Sequence, residues 1–248
     1  MLLKNIRSVW RQSCSIKQRK NYMHARTTRW AIVIGLLTSS TLWADSISVT
    51  ITGTGGTVQN GVYVAPYYLN VSGGGDPAQG VQSGSLTVIC DDYTHDVTLG
   101  ESWTAQINDL TTSGLTQSRF DSMPNAQRLY EEAGWLAMQT GLWGGTQQSA
   151  SMVGEYNWAI WSLFDPSLSI DTTAQGLVAQ AQKYAPTDLS YYGNVRILTP
   201  VAHSDGTAWT DATSPQEYIT VVSAPEPSSI ALLASGLAAF AFRFRRKR

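Results

Sequence analysis

The side chains with the clearest capacity for chemistry follow one apolar segment in the middle of the chain. Cys90 is followed there by Asp91 and, a few residues later, by His95 and Asp96. A cysteine, a histidine and an acid form a hydrolase site only if the imidazole reaches the thiol. On an extended strand, Cys90 and His95 would be separated by roughly 16 Å and would lie on opposite faces. A secreted cysteine hydrolase is therefore an alternative that requires a sharp turn between these two residues.

The same stretch offers oxygen ligands for a divalent cation. Asp91, Asp92 and Asp96 carry carboxylates, which are the ligands that Ca²⁺ prefers. The sequence lacks the EF-hand loop pattern, and paired Asp residues are often solvated turn residues. Calcium binding at these three residues is a second alternative, and no other cofactor is expected.

The charges are segregated along the chain, although the formal net charge is only −1. Residues 45–224 hold four basic residues against 17 acidic ones, whereas the other basic residues lie in the two terminal regions. Binding of nucleic acid requires clustered Lys and Arg to neutralise phosphates. The middle of the chain is therefore not expected to bind nucleic acid.

The N-terminal region 1–44 has the layout of a secretory signal peptide. An apolar run at 31–37 follows Arg26 and Arg29, and Ala44 supplies a small residue before the expected cut. This order of basic, apolar and small residues is recognised by the Sec machinery and signal peptidase. We therefore expect both as partners, with cleavage after Ala44.

Removal of the signal peptide affects the cysteine content. Met23 is an alternative start, because the region before it makes the basic segment unusually long. Cys14 leaves with the signal peptide, so Cys90 is the single cysteine of the expected mature chain. An unpaired cysteine in an exported protein cannot form an internal disulfide, and a buried, small apolar role is its commonest fate.

The C-terminal region 225–248 has a second three-part layout. Pro225-Glu226-Pro227 precedes an apolar segment at 228–242, which is predicted to form a single short transmembrane helix. Fifteen helical residues reach about 22 Å against a hydrocarbon core of ~30 Å, so the span is short. The basic tail 243–248 is expected to stay cytoplasmic, which places the preceding domain outside. The basic side chains central to this prediction are Arg243, Arg245 and Arg246.

This C-terminal layout resembles the sorting signal of PEP-CTERM proteins. The resemblance covers the last 24 residues, from Pro225 to Arg248. It implies a Gram-negative bacterium that makes exopolysaccharide and a membrane exosortase that recognises Pro225-Glu226-Pro227 and removes the tail. It also implies transient anchoring in the inner membrane and a final location at the cell surface or in the extracellular matrix, with exopolysaccharide as a further partner.

Two stretches of the middle region resemble the thioester domains of bacterial surface adhesins. They are Cys90-Asp91-Asp92 and the run from Trp158 to Trp161. In that family, the cysteine sulfur bonds to a glutamine side-chain carbonyl two residues before an Ala-Ile-Trp run. That position is Asn157 here, and its side chain is one methylene shorter. The resemblance makes Cys90 and Asn157 the candidate thioester pair, and the departure favours a shared fold that has lost the bond.

The elements that must position these residues indicate a single α+β domain over 45–224. Alternating apolar residues predict antiparallel strands near the N-terminus, and Asn60-Gly61 predicts a hairpin turn because both residues tolerate positive φ. A glycine-rich loop is expected at 73–77. The predicted strands cover 45–54, 61–71, 86–93 and 102–107, with C-terminal strands at 193–199 and 217–223.

Helical spacing of apolar residues predicts a central group of about three helices between the two sets of strands. The first is expected to be capped by Asp121 or Ser122, with Pro124 in its first turn. The second is expected to be capped near Ser149 or Ser151 and to be buried on most sides. Asp171 is the expected cap of the third.

The sequence favours a non-enzymatic adhesive or structural role for the exported domain. A polysaccharide-binding module is a further alternative, because aromatic rings can stack on sugar rings. Aromatic residues in strands are more often packing residues. The aromatic residues considered for sugar contact are Tyr63, Tyr67, Tyr68, Tyr191, Tyr192, Trp103 and Trp209.

Overall fold

The computed structural model describes residues 46–111, 114–210 and 213–222. The expected signal peptide, the cleavage site at Ala44, the Pro225-Glu226-Pro227 motif and the predicted transmembrane helix lie outside the described residues. None of the helices in the described ranges is long and apolar enough to cross a membrane.

Six strands form a closed antiparallel barrel in the order β1-β4-β5-β8-β7-β6. Two short strands, β2 and β3, form a separate hairpin. The predicted antiparallel strands are confirmed, whereas closure of the sheet into a barrel was not predicted. The bounds are β1 Ser46–Thr54, β2 Val58–Gln59, β3 Val62–Tyr63, β4 Tyr67–Asp76, β5 Val81–Cys90, β6 Ser102–Asp109, β7 Val195–His203 and β8 Tyr218–Val221.

The barrel core follows from side-chain alternation and from large aromatic residues. On β1, Ile47, Val49 and Ile51 are buried, as the period-two pattern predicts. Trp103 on β6 and Tyr218 on β8 are also buried, and their rings stack with centroids 6.2 Å apart. Val49 and Trp103 are directly opposed across β1 and β6, so these side chains share one face of the sheet, and their burial contributes to the hydrophobic stabilisation of the barrel.

Two details of the N-terminal strands differ from the prediction. The expected strand over 61–71 is interrupted around Pro66, which follows a cis peptide bond and separates β3 from β4. The expected loop over 73–77 is wrong, because β4 continues to Asp76 through a register shift between Val71 and Gly75. Gly75 has φ +66°, and a Cβ there would lie 2.5 Å from the Val81 carbonyl oxygen, so glycine makes this bulged pairing sterically feasible.

Further along, β5 begins before the predicted 86–93 segment and ends at Cys90, and the chain turns at once. The predicted turn at Asn60-Gly61 is confirmed, since both residues have positive φ between β2 and β3. The predicted C-terminal strands are likewise confirmed by β7 and β8.

Three α-helices lie between β6 and β7 in the described residues: α1 (Ala126–Gln139), α2 (Ala150–Phe164) and α3 (Thr172–Tyr184). Ser149 caps α2 by accepting from the Met152 N–H at 3.2 Å. Asp171 caps α3 by accepting from the N–H groups of its first turn, at 2.8 and 2.9 Å. Both caps agree with the prediction.

The predicted start of α1 at Asp121 or Ser122 is wrong. The Asp121 N–H bonds back to the Ser118 carbonyl in a turn, so the chain is not yet helical there. The cap is Asn125, which has φ +61° and makes no side-chain capping bond. Pro124 therefore precedes the helix and does not occupy its first turn.

The helices pack on one another and on the barrel. Helix α2 contacts both α1 and α3 and also packs against β5, which confirms its predicted burial. Gly134 on α1 marks a close approach to the barrel, because a Cβ there would lie 3.3 Å from side-chain carbons of Leu110 and Val195. The packing of α2 brings the helical layer to β5, which ends at Cys90.

Candidate functional site

Cys90 is sealed inside the domain at the end of β5. Its side chain is fully buried, its thiol donates to the Asp92 carbonyl oxygen at 3.1 Å, and its sulfur accepts from the Asp92 N–H at 3.3 Å. Burial raises the pKa of the thiol well above its usual value, and the nearby carboxyls of Asp92 and Asp91 raise it further. The thiol form is therefore favoured over the nucleophilic thiolate.

Asn157 on α2 is a buried clamp between two backbone segments. Its Oδ1 accepts from the Ala65 N–H at 2.7 Å, and its Nδ2 donates to the Cys90 carbonyl oxygen at 2.7 Å. The side chain therefore ties the segment before β4 and the end of β5 to the same helix. The structure brings the candidate thioester pair together, but the contact uses the Cys90 carbonyl and occupies both ends of the carboxamide.

Asp92 is held in a polar turn by its neighbours and by a distant arginine. Its Oδ1 accepts from the Thr94 N–H at 3.0 Å, and its Oδ2 lies 2.8 Å from His95 Nδ1. Arg119 Nε is 2.9 Å from the same Oδ2, although the N–H does not point at the oxygen, so the contact is electrostatic and not a directed hydrogen bond. His95 is thus oriented on Asp92 and Arg119, while the Cys90 thiol is oriented on the backbone of Asp92.

The other end of Arg119 fixes the chain before β8. Its Nη2 donates to Ser214 Oγ at 2.7 Å and to the Pro215 carbonyl oxygen at 2.6 Å. Arg119 therefore links the turn after β5 to the segment that enters β8. It is one of only four basic residues between 45 and 224, which is the sequence signal that could have identified it.

Asp91 and Glu217 form a buried acid pair produced by strand register. Cys90 pairs with Tyr218 across β5 and β8, and the Asp91 N–H extends this pairing to the Glu217 carbonyl at 3.3 Å. The Glu217 carboxyl accepts hydrogen bonds from the hydroxyls of Tyr130 and Thr199. It also accepts one from the backbone N–H of Arg119, at 2.8 Å. Sequence reasoning missed this pair, because its members come from separate elements.

The two carboxyls differ in how they are satisfied. Neither carboxyl oxygen of Asp91 receives a hydrogen bond from an N–H or O–H donor in the described part of the chain. Burial raises the pKa of Asp91 well above its usual value, and the charge of Glu217 adds to the effect. Burial also raises the pKa of Glu217, but its three donors favour the charged form. We therefore assign the shared proton to Asp91 and the charge to Glu217.

The carboxylates predicted to bind calcium are distributed over different surroundings. Asp91 lies in the buried pair, Asp92 contacts Arg119 and His95, and Asp96 is exposed at a groove. Within the described ranges, no group of three or more His, Cys, Asp or Glu side chains is placed to hold a metal ion. Calcium binding stays a prediction.

A groove of about 320 Å³ lies beside the end of β5. One wall is the β2–β3 hairpin, and the other is the loop between β5 and β6. Helix α2 contributes Trp161 to the groove, and Asp96 supplies a carboxylate. The aromatic side chains that line it are Tyr63, Tyr67, Tyr93 and Trp161.

Two tyrosines expose aromatic surface at this groove. The Tyr63 side chain is 56% exposed and Tyr93 is 37% exposed. Tyr93 also packs against Trp158 and Trp161, with ring centroids 5.6 and 5.2 Å away. The Tyr67 hydroxyl donates to the Tyr63 carbonyl at 2.6 Å, which fixes the chain between β3 and β4.

Other aromatic residues considered for sugar contact lie elsewhere. Trp103 and Tyr192 are fully buried, so both are packing residues and that interpretation is wrong for them. Trp209 packs against His203, and Tyr191 is exposed beside Tyr192. Of the residues considered, Tyr63 and Tyr67 line the groove, and Tyr93 is the lining tyrosine that the sequence did not single out.

The comparisons with known proteins address the C-terminal region. A family model described as the PEP-CTERM protein-sorting motif matches residues 223–247, which confirms the resemblance noted for this segment. The match supports export of the chain and its sorting through an exosortase. No curated protein and no solved structure matches the chain, so the thioester-domain resemblance is unconfirmed.

Proposed function

We propose that this protein is an exported component of the cell surface or biofilm matrix with a non-enzymatic adhesive or structural role. The sorting motif supports delivery to the envelope through an exosortase. The observation that carries the non-enzymatic part is the sealed Cys90, whose thiol is buried and bonded to the Asp92 backbone. The candidate nucleophile is therefore kept protonated and away from solvent.

The Asn157 clamp supports the same interpretation of the adhesin-like segment. A thioester would require the Asn157 carboxamide to lose its nitrogen, but that nitrogen donates to the Cys90 carbonyl at 2.7 Å. Loss of this buried bond would leave the carbonyl without its partner, which costs about 1–3 kcal/mol. The proposed role of Asn157 is to hold the end of β5 in place.

Adhesion assays can test the role outside the cell. We expect deletion of the gene to weaken cell attachment or matrix cohesion and expect the wild-type gene to restore it. The Cys90→Ala variant should restore it equally, since the thiol takes no part in chemistry. Failure of Cys90→Ala to restore adhesion at wild-type surface abundance and thermal stability would support the cysteine hydrolase or the thioester adhesin. Cys90→Ser controls for the loss of side-chain volume.

Fractionation can test the sorting step separately. We expect the wild-type chain to lose its C-terminal region and to leave the inner membrane for the surface or matrix. Replacing Pro225, Glu226 and Pro227 together by Ala should leave an unprocessed chain in the membrane fraction. Normal processing of that variant would contradict recognition of the motif by an exosortase.

A further inference from the structure

We infer that the groove binds a chain of neutral sugar units, with Tyr63 and Tyr93 as stacking surfaces and Asp96 as a hydrogen-bond acceptor. This inference deepens the proposed surface or matrix role by assigning a ligand class to a defined site. The three residues come from opposite walls: Tyr63 belongs to the β2–β3 hairpin, and Tyr93 and Asp96 belong to the loop after β5.

The exposed aromatic surface of the groove supports stacking against a ligand. Tyr63 and Tyr93 are both exposed, although burying such rings is a main source of stability. Tyr93 is fixed from behind by Trp158 and Trp161, so a ligand would not have to order this side chain on binding. Rigid aromatic faces suit the flat C–H surface of a pyranose ring, which gains contact without a deep apolar pocket.

The polar side chains of the groove support the acceptor role of Asp96. Asp96 is exposed there and offers two acceptor oxygens to ligand hydroxyl groups. The Gln216 carboxamide is already used, because it donates to the Asp92 carbonyl and accepts from the Tyr218 hydroxyl, both at 3.2 Å. Gln216 therefore shapes the groove, and Asp96 is the lining residue with an ionisable acceptor for hydroxyl donors.

The charge of the groove and of the surrounding domain favours a neutral ligand. Asp96 is the charged side chain of the lining, and residues 45–224 contain 17 acidic residues against four basic ones. An anionic polymer would approach a surface of the same sign without compensating Lys or Arg. A neutral sugar chain avoids this repulsion and still donates hydroxyl hydrogens to Asp96.

The hairpin wall is held by Gln59, which lies against Gly154 outside the groove. Gln59 Nε2 donates to the Ser151 carbonyl at 2.9 Å and reaches Glu155 Oε1 at 3.4 Å, which fastens β2 to α2. A Cβ on Gly154 would lie 2.5 Å from Gln59 Cδ, so Gly154→Ala must displace this side chain. We expect the hairpin that carries Tyr63 to loosen and ligand binding to weaken.

Affinity electrophoresis of the full exported protein in native gels tests the proposal. The probes are two neutral polymers, hydroxyethyl cellulose and dextran, and the polyanion alginate, with polymer-free gels as the reference for mobility. We expect at least one neutral polymer to retard the wild-type protein and alginate not to do so. Tyr63→Ala and Tyr93→Ala should each weaken that retardation roughly threefold to tenfold, the range expected for loss of one aromatic contact.

The matched control is Tyr184→Ala, because Tyr184 is 57% exposed on α3 and is not a lining residue. It should leave retardation unchanged, and Gly176→Ala should do the same as the control for Gly154→Ala, since a Cβ on Gly176 meets no atom within 4 Å. Thermal unfolding of every variant shows whether the fold is kept.

No retardation by either neutral polymer, stronger retardation by alginate, or unchanged retardation of folded Tyr63→Ala and Tyr93→Ala would each overturn the proposal. None of these results would affect the surface or matrix role, which the gene deletion tests independently. Normal adhesion of the deletion strain together with retardation of the wild-type protein would contradict the adhesive role and leave the sugar site supported.

Discussion

The groove and the buried polar cluster share the loop that follows β5, but their side chains are used differently. We define the cluster as Asp91, Asp92, Arg119, Tyr130 and Glu217. Within it, Glu217 receives three hydrogen bonds and Asp92 contacts both His95 and Arg119. In the groove, two tyrosine rings and a carboxylate face solvent.

The difference indicates that the cluster stabilises the loop, whereas the exposed residues of the groove are available for binding. Buried charges are costly unless they are paired and hydrogen-bonded. Any arrangement of the loop that breaks the contacts of the cluster is therefore unfavourable. The exposed residues are then presented at fixed positions without having to stabilise the fold themselves. Changes in the cluster should therefore alter stability, whereas changes in the groove should alter binding.

Loss of the central acceptor should give the largest effect on stability. Glu217→Ala leaves the hydroxyls of Tyr130 and Thr199 and the backbone N–H of Arg119 without their common acceptor. We expect the free energy of unfolding to fall by about 3–5 kcal/mol, as measured by urea denaturation of the exported protein. Asp121→Ala, which removes an exposed carboxylate, should change it by less than about 0.5 kcal/mol. Similar values for the two variants would contradict the role of the cluster.

Loss of the Asn157 clamp on α2 should give the second largest effect on stability. Asn157→Ala leaves the Ala65 N–H and the Cys90 carbonyl without their buried partners. We expect a loss of about 2–4 kcal/mol in the same denaturation experiment, because each orphaned buried group costs ~1–3 kcal/mol. A variant as stable as the wild type would show that Asn157 does not hold the end of β5.

The contact between α1 and the barrel gives a smaller effect and a matched control. Gly134→Ala places a methyl group 3.3 Å from carbons of Leu110 and Val195, so these tightly packed side chains must give way by a few tenths of an ångström. We expect a loss of about 1–3 kcal/mol, as for other overpacked sites. Gly176→Ala sits in open space on α3 and should raise stability by up to about 1 kcal/mol, because alanine favours helix. Equal shifts in melting temperature would contradict the close packing of α1.

The acid pair gives a pH dependence of stability, and its change over one pH unit is smaller than the effects of the Glu217 and Asn157 substitutions. The folded-state pKa of Asp91 is raised above its unfolded value of 3.8, so its contribution is fully present below about pH 4. That contribution is lost as pH rises toward the folded pKa, by up to roughly 1.4 kcal/mol per pH unit. Asp91→Asn should remove this slope and should be more stable than the wild type at pH 7. An unchanged slope would show that Asp91 does not carry the proton.

The sequence predicted the local features because they depend on neighbouring residues. Alternation on β1 and the caps at Ser149 and Asp171 are set within a few positions and are confirmed. Closure of the barrel depends on pairs such as β1 with β6 and β5 with β8, which are distant in sequence. Such pairing leaves no periodic signal in a single chain.

The same limit applies to the candidate site. Cys90, Asp91 and Asp92 were identified from their types and order, but the partners that decide their chemistry come from other elements. Glu217 faces Asp91 through the register of β8, and Arg119 reaches Asp92 from the segment before α1. The glycine run at 73–75 suggested a loop, since its ability to support a bulged strand depends on the partner strand β5.

Mass spectrometry of the exported protein with methylamine and iodoacetamide tests whether Cys90 is a free and buried thiol. We expect no mass change with methylamine, no alkylation of Cys90 in the native protein, and one alkylation after denaturation, because the thiol is free but buried. Addition of one methylamine to the native protein would demonstrate a thioester. Rapid alkylation of native Cys90 would show an accessible thiolate. Either result would contradict a free thiol that is sealed inside the native domain.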